Sequence, residues 1–186
     1  MGRLVYSYLS SLDGYIADAT GGFAWARPDE QVLGFINGVE RDVSTYLYGR
    51  RIYELMTGWE TDPDIATQSP QSAEFAAIWQ RADKIVFSRT LNDVATQRTR
   101  IEREFDRATV QAIKDGIDGD LAVSGATLAA SAFRLGLIDE VQVFVSPMLA
   151  GGGQRMFPDG LSQRLALRGE RRFANGMVWL RYEVLH

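Results

Sequence analysis

The sequence predicts an α/β protein of three layers (αβα), in which helices cover both faces of a mixed, mainly parallel β-sheet. Short apolar runs typical of strands alternate with amphipathic segments of helical period as far as residue 145, which is typical of parallel strands joined by helices. At the end of the chain, segments 165–173 and 177–185 flank Asn175-Gly176, which predicts an antiparallel hairpin. Since no repeat or linker divides the chain, we predict a single domain over residues 1–186.

In the first half of the chain, the boundaries follow from local signals. Pro28 and the acids behind it are typical of a first helical turn, and the two prolines within 58–71 indicate a loop. The segment 4–10 is rich in residues that favour strands. The predicted strands are 4–10, 45–48 and 84–87, and the predicted helices are 28–39, 52–56 and 72–82.

In the second half, glycine marks several boundaries. Gly136 ends an apolar helix in the manner of a C-cap, and the glycine-rich segment 149–160 predicts a loop. Weak alternation over 99–105 predicts a further strand. The remaining predictions are strands at 121–123 and 140–145 and helices at 108–116 and 128–135.

The composition excludes several kinds of chemistry. There is no cysteine, and the one histidine is the last residue, His186, so we expect no disulfide, thiolate nucleophile, histidine base or metal site. A net charge of -4 argues against a nucleic-acid surface. No apolar run reaches the ~20 residues of a membrane span, and the first residues lack a signal-peptide layout, so we expect a cytoplasmic protein that binds small molecules.

Three predicted parallel strands end in residues suited to binding an anion, and an open parallel sheet brings such ends together. The residues are Gly49, Arg50 and Arg51 after the first of these strands, Ser88 and Arg89 after the second, and Ser124, Gly125, Ala126 and Thr127 after the third. Arginine binds phosphate through two hydrogen bonds, and the amides of a helix N-terminus favour an anion. We therefore predict a site for a ligand with more than one phosphate.

Each of these strand ends also has a purely structural explanation. For Arg50 and Arg51 the alternative is a solvated helix start, for Ser88 an ordinary turn, and for Thr127 an N-cap. The coincidence of three such ends on neighbouring strands favours binding.

Two acidic residues are candidates for supplying a proton: Asp13, which follows the first strand, and Glu30, in the first turn of the first helix. For Asp13 the alternative is a turn built by Asp13-Gly14, and for Glu30 it is a charge that stabilises the helix N-terminus. Without a metal site, a reaction depends on such groups and on a bound cofactor.

Four stretches in matching order resemble the dihydrofolate-reductase-like family, most closely the branch formed by the C-terminal domain of the riboflavin-biosynthesis protein RibD. They are SLDGYIA at 11–17, LYGRRIY at 47–53, VSG at 123–125 and SPMLAGGG at 146–153. The resemblance implies a dihydrofolate-reductase-like fold that binds NADPH. It also implies that the Gly49 to Arg51 segment, Ser88 and Arg89 hold the adenosine phosphates, that residues 124–127 hold the pyrophosphate, and that Ala17 belongs to a loop closing on the nicotinamide.

The chain differs in two respects from the proteins that it resembles. Dihydrofolate reductases have two adjacent glycines at the pyrophosphate turn, and Ala126 replaces the second, so we do not expect a dihydrofolate reductase proper. The deaminase half of the bifunctional riboflavin enzyme is missing, and its zinc site needs cysteine and histidine ligands. We therefore expect no deaminase activity.

The function we expect is that of an NADPH-dependent reductase, transferring a hydride to a small pteridine- or pyrimidine-like heterocycle or to a carbonyl compound. A non-catalytic nucleotide-binding or dimerisation module on the same fold is the alternative, because a fold does not fix a function. A homodimer through the final hairpin is one interpretation of its apolar residues, and packing inside the monomer is the other; these residues are Val178, Leu180, Tyr182 and Val184.

Overall fold

A mixed eight-stranded β-sheet forms the middle layer of the structure, a computed structural model that describes residues 2–186. The strands are β1 (Leu4–Ser11), β3 (Val43–Gly49), β4 (Asp83–Phe87), β5 (Thr99–Glu102), β6 (Asp120–Ser124), β7 (Glu140–Ser146), β9 (Arg164–Arg172) and β10 (Val178–Leu185), and a separate ribbon pairs β2 (Tyr15–Ala17) with β8 (Gln154–Arg155). The sheet order is β5-β4-β3-β6-β1-β7-β10-β9. Neighbours from β5 to β7 are parallel, whereas the β7–β10 and β10–β9 pairs are antiparallel.

Helices cover both faces of this sheet. They are α1 (Glu30–Glu40), α2 (Arg50–Met56), α3 (Gly58–Thr61), α4 (Pro63–Ala66), α5 (Pro70–Arg81), α6 (Arg107–Asp115) and α7 (Ala126–Arg134). Val110 of α6 packs in one core with Leu47, whereas Trp79 of α5 packs in another with Tyr48. Successive strand residues point to opposite faces, so the predicted three-layer fold is confirmed. In residues 2–186, no helix is long and apolar enough to cross a membrane.

The segment 58–71, predicted as a loop, instead contains α3, α4 and the start of α5, so that prediction was wrong. Its prolines begin helices, since Pro63 and Pro70 lie in the first turns of α4 and α5. Asp62 and Ser69 cap the same helices by accepting backbone N–H bonds. Proline is well tolerated in a first turn because its missing N–H would have no helical partner there.

Candidate functional site

The chain leaves the neighbouring strands β3 and β6 in opposite directions. After β3 it continues through α2 on one face of the sheet towards β4, and after β6 it continues through α7 on the other face towards β7. Open α/β sheets form a crevice at such a switch point, outside the carboxyl ends of the strands, and ligands bind there. In this protein the crevice lies between Gly49 and Gly125.

Gly49 and Gly125 are the N-caps of α2 and α7, and they lie close together. A Cβ added to Gly125 would be 3.9 Å from the amide nitrogen of Gly49 and 3.2 Å from Cγ2 of Ile52. Gly125 also has a φ of +99°, which side chains of L-residues rarely adopt. Since no side chain caps either helix, two helix N-termini with uncapped amides adjoin a narrow, backbone-lined crevice suited to an anion.

The rest of the glycine turn lies where the sequence predicted. Ser124 ends β6 opposite Tyr48, and Ala126 is the first residue of α7. Thr127 is the second helical residue, and its side chain makes no capping hydrogen bond. The alternative explanation of Thr127 as an N-cap was therefore wrong, because the cap position belongs to Gly125.

Arg50 and Arg51 lie in the first turn of α2 with exposed side chains. Cations are unfavourable there because a helix N-terminus is itself positive, and no acid lies in this first turn. Arg50 donates to Glu54 (2.7 Å) and Thr90 (3.2 Å), whereas Arg51 has no hydrogen bond or ion pair within residues 2–186. A bound anion would offset the repulsion between these arginines and the positive N-terminus of α2.

The turn after β4 is joined to the start of α2 by the Arg50–Thr90 hydrogen bond. The hydroxyl oxygen of Ser88 accepts the amides of Thr90 (3.3 Å) and Leu91 (3.0 Å). Ser88 thus has the turn-building role that the sequence left open. Arg89 is exposed beside it, so the structure brings three arginines, Arg50, Arg51 and Arg89, to neighbouring strand ends.

Tyr8 lies on β1, the strand next to β6, and no local pattern in the sequence indicates it as a site residue. The register pairs Tyr6 with Val123, which brings Tyr8 level with Gly125. Burial raises the pKa of Tyr8 to about 12, with the nearby Gly125 backbone acting in the opposite sense. The phenol therefore keeps its proton at neutral pH.

The loop after β1 is tied to the glycine-rich segment that follows β7. The carboxylate of Asp13 accepts the amides of Ala150 (2.9 Å) and Gly151 (2.8 Å). Gly153 lies so close to the other side of the loop that an added Cβ would be 2.2 Å from the carbonyl oxygen of Ala17. Ala17, predicted in a closing loop, therefore belongs to an ordered two-stranded ribbon, β2–β8.

Asp13 has the environment of a structural carboxylate. Hydrogen bonds lower its pKa to about 2, the bond from the Ser11 hydroxyl having the largest effect and the amides of Ala150 and Gly151 adding to it. A group this acidic carries no proton to donate at neutral pH. The structure therefore favours the turn role of Asp13 over the catalytic one.

Replacing Asp13 with asparagine should remove a pH-dependent part of the stability. Because the pKa is depressed on folding, the ionised carboxylate stabilises the fold above its unfolded pKa of about 3.9, and this stabilisation disappears as the pH falls towards about 2. Urea unfolding over this range should show a steeper loss for the native protein than for Asp13→Asn. Asp93→Asn, at an exposed residue, is the control, and parallel curves for Asp13→Asn and the native protein would contradict the prediction.

Glu30, the second candidate acid, is the first residue of α1 and is exposed. Asp29 before it caps the helix by accepting the amide of Val32 at 2.9 Å. Within residues 2–186, Glu30 makes no hydrogen bond or ion pair. Its position matches a charge that stabilises the helix N-terminus, and a catalytic role for Glu30 stays a prediction without support from the contacts.

Two surface hollows lie away from this crevice. One, of about 450 Å³, is next to Ile85, Arg100 and Ile113, and the other, of about 520 Å³, is next to Phe35 and Arg171. Both are open to solvent, and neither is lined by the glycine turns. We place the candidate site at the crevice because helix amides and unpaired cations adjoin one another there.

Proteins with an open α/β sheet bind ligands in the crevice at its switch point, and dinucleotide-binding proteins are among them. The RibD C-terminal domain family matches residues 3–179, so the chain belongs to this family, and the resemblance predicted from the sequence is confirmed.

Solved structures share the fold at low sequence identity. A putative riboflavin biosynthesis protein from Shewanella sp. PV-4 is 19% identical with a TM-score of 0.78, covering 99% of both chains. A diaminohydroxyphosphoribosylaminopyrimidine deaminase/5-amino-6-(5-phosphoribosylamino)uracil reductase from Thermotoga maritima is 17% identical with a TM-score of 0.64, over 99% of this chain and 57% of that one. Dihydrofolate reductase from Enterococcus faecalis, complexed with NADP(H), is 14% identical with a TM-score of 0.64, over 100% and 98%. The dihydrofolate-reductase-like fold is thereby confirmed.

Proposed function

We propose that the protein is an NADPH-dependent reductase of a small pyrimidine-like heterocycle. The observation that carries this proposal is the pair of uncapped helix N-termini at Gly49 and Gly125, next to the unpaired cation Arg51. Such amides suit a pyrophosphate, and arginine suits a further phosphate. The fold adds support, since it is shared with a protein complexed with NADP(H) and with one described as a uracil reductase.

The residues of the crevice would contribute to NADPH binding in distinct ways. No side chain caps the first amides of α7, so these amides would be free to hold a pyrophosphate, and Arg50, Arg51 and Arg89 would hold the adenosine phosphate. Bound NADPH supplies a hydride. Tyr8 holds a proton beside the glycine turn, and the ordered ribbon containing Ala17 would limit the access of water to the strand ends.

Binding of NADPH is expected to depend on Arg51. The Arg51→Ala variant should bind NADPH about tenfold more weakly, the effect of losing one charge-assisted phosphate contact, while NADH binding changes less. Fluorescence titration of the full chain with each nucleotide measures both affinities. Arg164→Ala, an exposed arginine of β9, is the control. Absence of binding at about 1 mM NADPH, a concentration typical of weak substrates, would reject the proposal.

A reductase and a non-catalytic nucleotide-binding module differ in turnover. The full chain would be incubated with NADPH and pyrimidine, pteridine or carbonyl compounds in turn, and the NADPH absorbance followed. Oxidation that requires a pyrimidine supports the proposed function. Tight NADPH binding without oxidation by any of the three classes would favour the non-catalytic alternative instead.

A further inference from the structure

A groove between α6 and the edge of the sheet lies away from the proposed cofactor site. It is the hollow of about 450 Å³ next to Ile85, Arg100 and Ile113, and we call it the α6 hollow. Sites for small molecules have volumes of about 300–1,000 Å³ and are lined mainly by apolar side chains, with a few polar groups among them. The α6 hollow has this size and this mixture of residues.

The hollow exists because α6 buries only part of its apolar side in the core. Val110 is fully buried there together with Leu47 of β3. Thr109, Ile113 and Ile117 follow one another at helical spacing on the side of α6 that borders the hollow. Both isoleucines are only half-buried, so an apolar wall remains open to a ligand.

Three neighbouring strands form the floor of the α6 hollow. The register pairs Leu47 of β3 with Ile85 of β4, and Ile85 with Arg100 of β5. Paired residues share one face of the sheet, and Thr45, two residues before Leu47, points to the same face. The apolar side chain of Ile85 therefore has one polar residue on each side of it, Thr45 on β3 and Arg100 on β5.

Arg100 is the group of the hollow that suits an anion. Its Nε donates to Glu102 at 3.2 Å, and its two terminal nitrogens have no partner among residues 2–186. Asp83, the other acid of the hollow, pairs with Arg98 at 2.9 Å. Because each acid already has an arginine partner, the free N–H groups of Arg100 are the donors available to a carboxylate.

Thr45 supplies a second, independent sign of a ligand. It lines the hollow and is only 2% exposed, yet its hydroxyl forms no hydrogen bond in the part of the chain from Gly2 to His186. Buried hydroxyls normally have partners, and Thr96, which is also buried, shares hydrogen bonds with Tyr53 and Thr99. The Thr45 hydroxyl therefore has a hydrogen bond to offer to a molecule in the hollow.

The two polar groups of the hollow are well separated. Thr45 and Arg100 are two strand spacings apart across the sheet and two residues apart along it, which puts their Cα atoms about 12 Å from each other. A small molecule that contacts both side chains needs polar groups at its opposite ends. A ring between these groups fits the apolar floor and wall, and it loses less conformational freedom on binding than a flexible chain would.

We propose that the α6 hollow binds a small aromatic carboxylate with a hydroxyl group at its far end. The carboxylate binds Arg100, the ring lies between Ile85 and Ile113, and the hydroxyl pairs with Thr45. This ligand is distinct from the cofactor and the substrate of the proposed reductase, since the glycine turns do not line the hollow.

Isoleucine methyl signals in NMR spectra of the full chain locate the binding. Addition of para-hydroxyphenylacetate should shift the signals of Ile85, Ile113 and Ile117, with a dissociation constant of about 1 mM or below, as expected for a ligand of this size. Ile52 lies beside Gly125 and reports on the cofactor crevice. Its signal should stay in place, so the result is independent of NADPH binding.

Related compounds and two variants test the role of each polar group. Phenylacetate, which lacks the hydroxyl, should bind about fivefold more weakly, and tyramine, an ammonium in place of the carboxylate, at least about tenfold more weakly. Thr45→Val should remove the difference between the two acids. Arg100→Gln, at an exposed residue, should weaken both acids about tenfold. Arg134→Gln, at an exposed arginine of α7, is the matched control and should change neither affinity.

Several results would overturn the proposal. They are an absence of shifts at about 10 mM para-hydroxyphenylacetate, shifts at Ile52 in place of the hollow residues, and tighter binding of tyramine than of the acids. Unchanged affinities in Arg100→Gln, with thermal unfolding like that of the native protein, would do so as well. Shifts at the three isoleucines that depend on both Arg100 and Thr45 would support it.

Discussion

Replacing Gly125 with alanine is expected to lower the affinity for NADPH by at least about tenfold. The φ of +99° at this position is strained for any residue with a Cβ, at a cost of about 1–3 kcal/mol. The new methyl group would also lie 3.2 Å from Cγ2 of Ile52 and 3.9 Å from the Gly49 amide. The turn is expected to shift so that the backbone strain and the close contacts are relieved. The amides that would hold the pyrophosphate shift with it. Fluorescence titration with NADPH measures the loss.

A matched substitution separates backbone strain from damage to the crevice. Gly160 also has a positive φ, +75°, but nothing lies within 4 Å of an added Cβ. Gly160→Ala should therefore lower the free energy of unfolding through a similar backbone strain, and it should leave the NADPH affinity unchanged. Urea unfolding of both variants shows whether they are comparably stable. Equal NADPH affinity in Gly125→Ala and the native protein would remove Gly125 from the proposed cofactor site.

The elements of the parallel sheet could be predicted because each depends on local signals. The boundaries of β1, β3, β4, β6 and β7 lie within two residues of those predicted from apolar runs and glycine positions. The glycine turns at Gly49 and Gly125 were found for the same reason, since an isolated glycine after a strand has few structural explanations. Their assignment to a cofactor stays a prediction that the geometry supports.

The contacts that could not be predicted join residues far apart in the chain. The strands β2 and β8 are too short to show alternation, so their pairing appears only in three dimensions. Asp13 is held by amides of Ala150 and Gly151, and nothing near Asp13 in the sequence indicates these partners. Tyr8 reaches Gly125 only through the register of β1 against β6. Local patterns thus indicate elements and turns, whereas the roles of single side chains depend on strand order.

Glu140 is a further residue whose importance depends on strand order. It is 4% exposed at the start of β7, and its carboxylate binds Arg3, just before β1, and Arg181 of β10, both at 2.9 Å. Gln142 donates to the second carboxylate oxygen at 2.7 Å. Arg3 also pairs with Asp120 of β6. This one buried acid therefore connects three strands that are distant in sequence.

Glu140→Gln is expected to lower the free energy of unfolding by about 3 kcal/mol, near the lower end for breaking a buried ion pair because both arginines are partly exposed. The substitution keeps the shape of the side chain but leaves two guanidinium groups without their shared anion. Glu183→Gln is a stringent control, since Glu183 is the register partner of Glu140 and its pair with Arg168 is exposed on both sides. The free energy of unfolding of Glu183→Gln should fall by less than about 1 kcal/mol. Urea unfolding measures both, and equal losses would mean that burial of Glu140 adds nothing to the strength of its ion pairs.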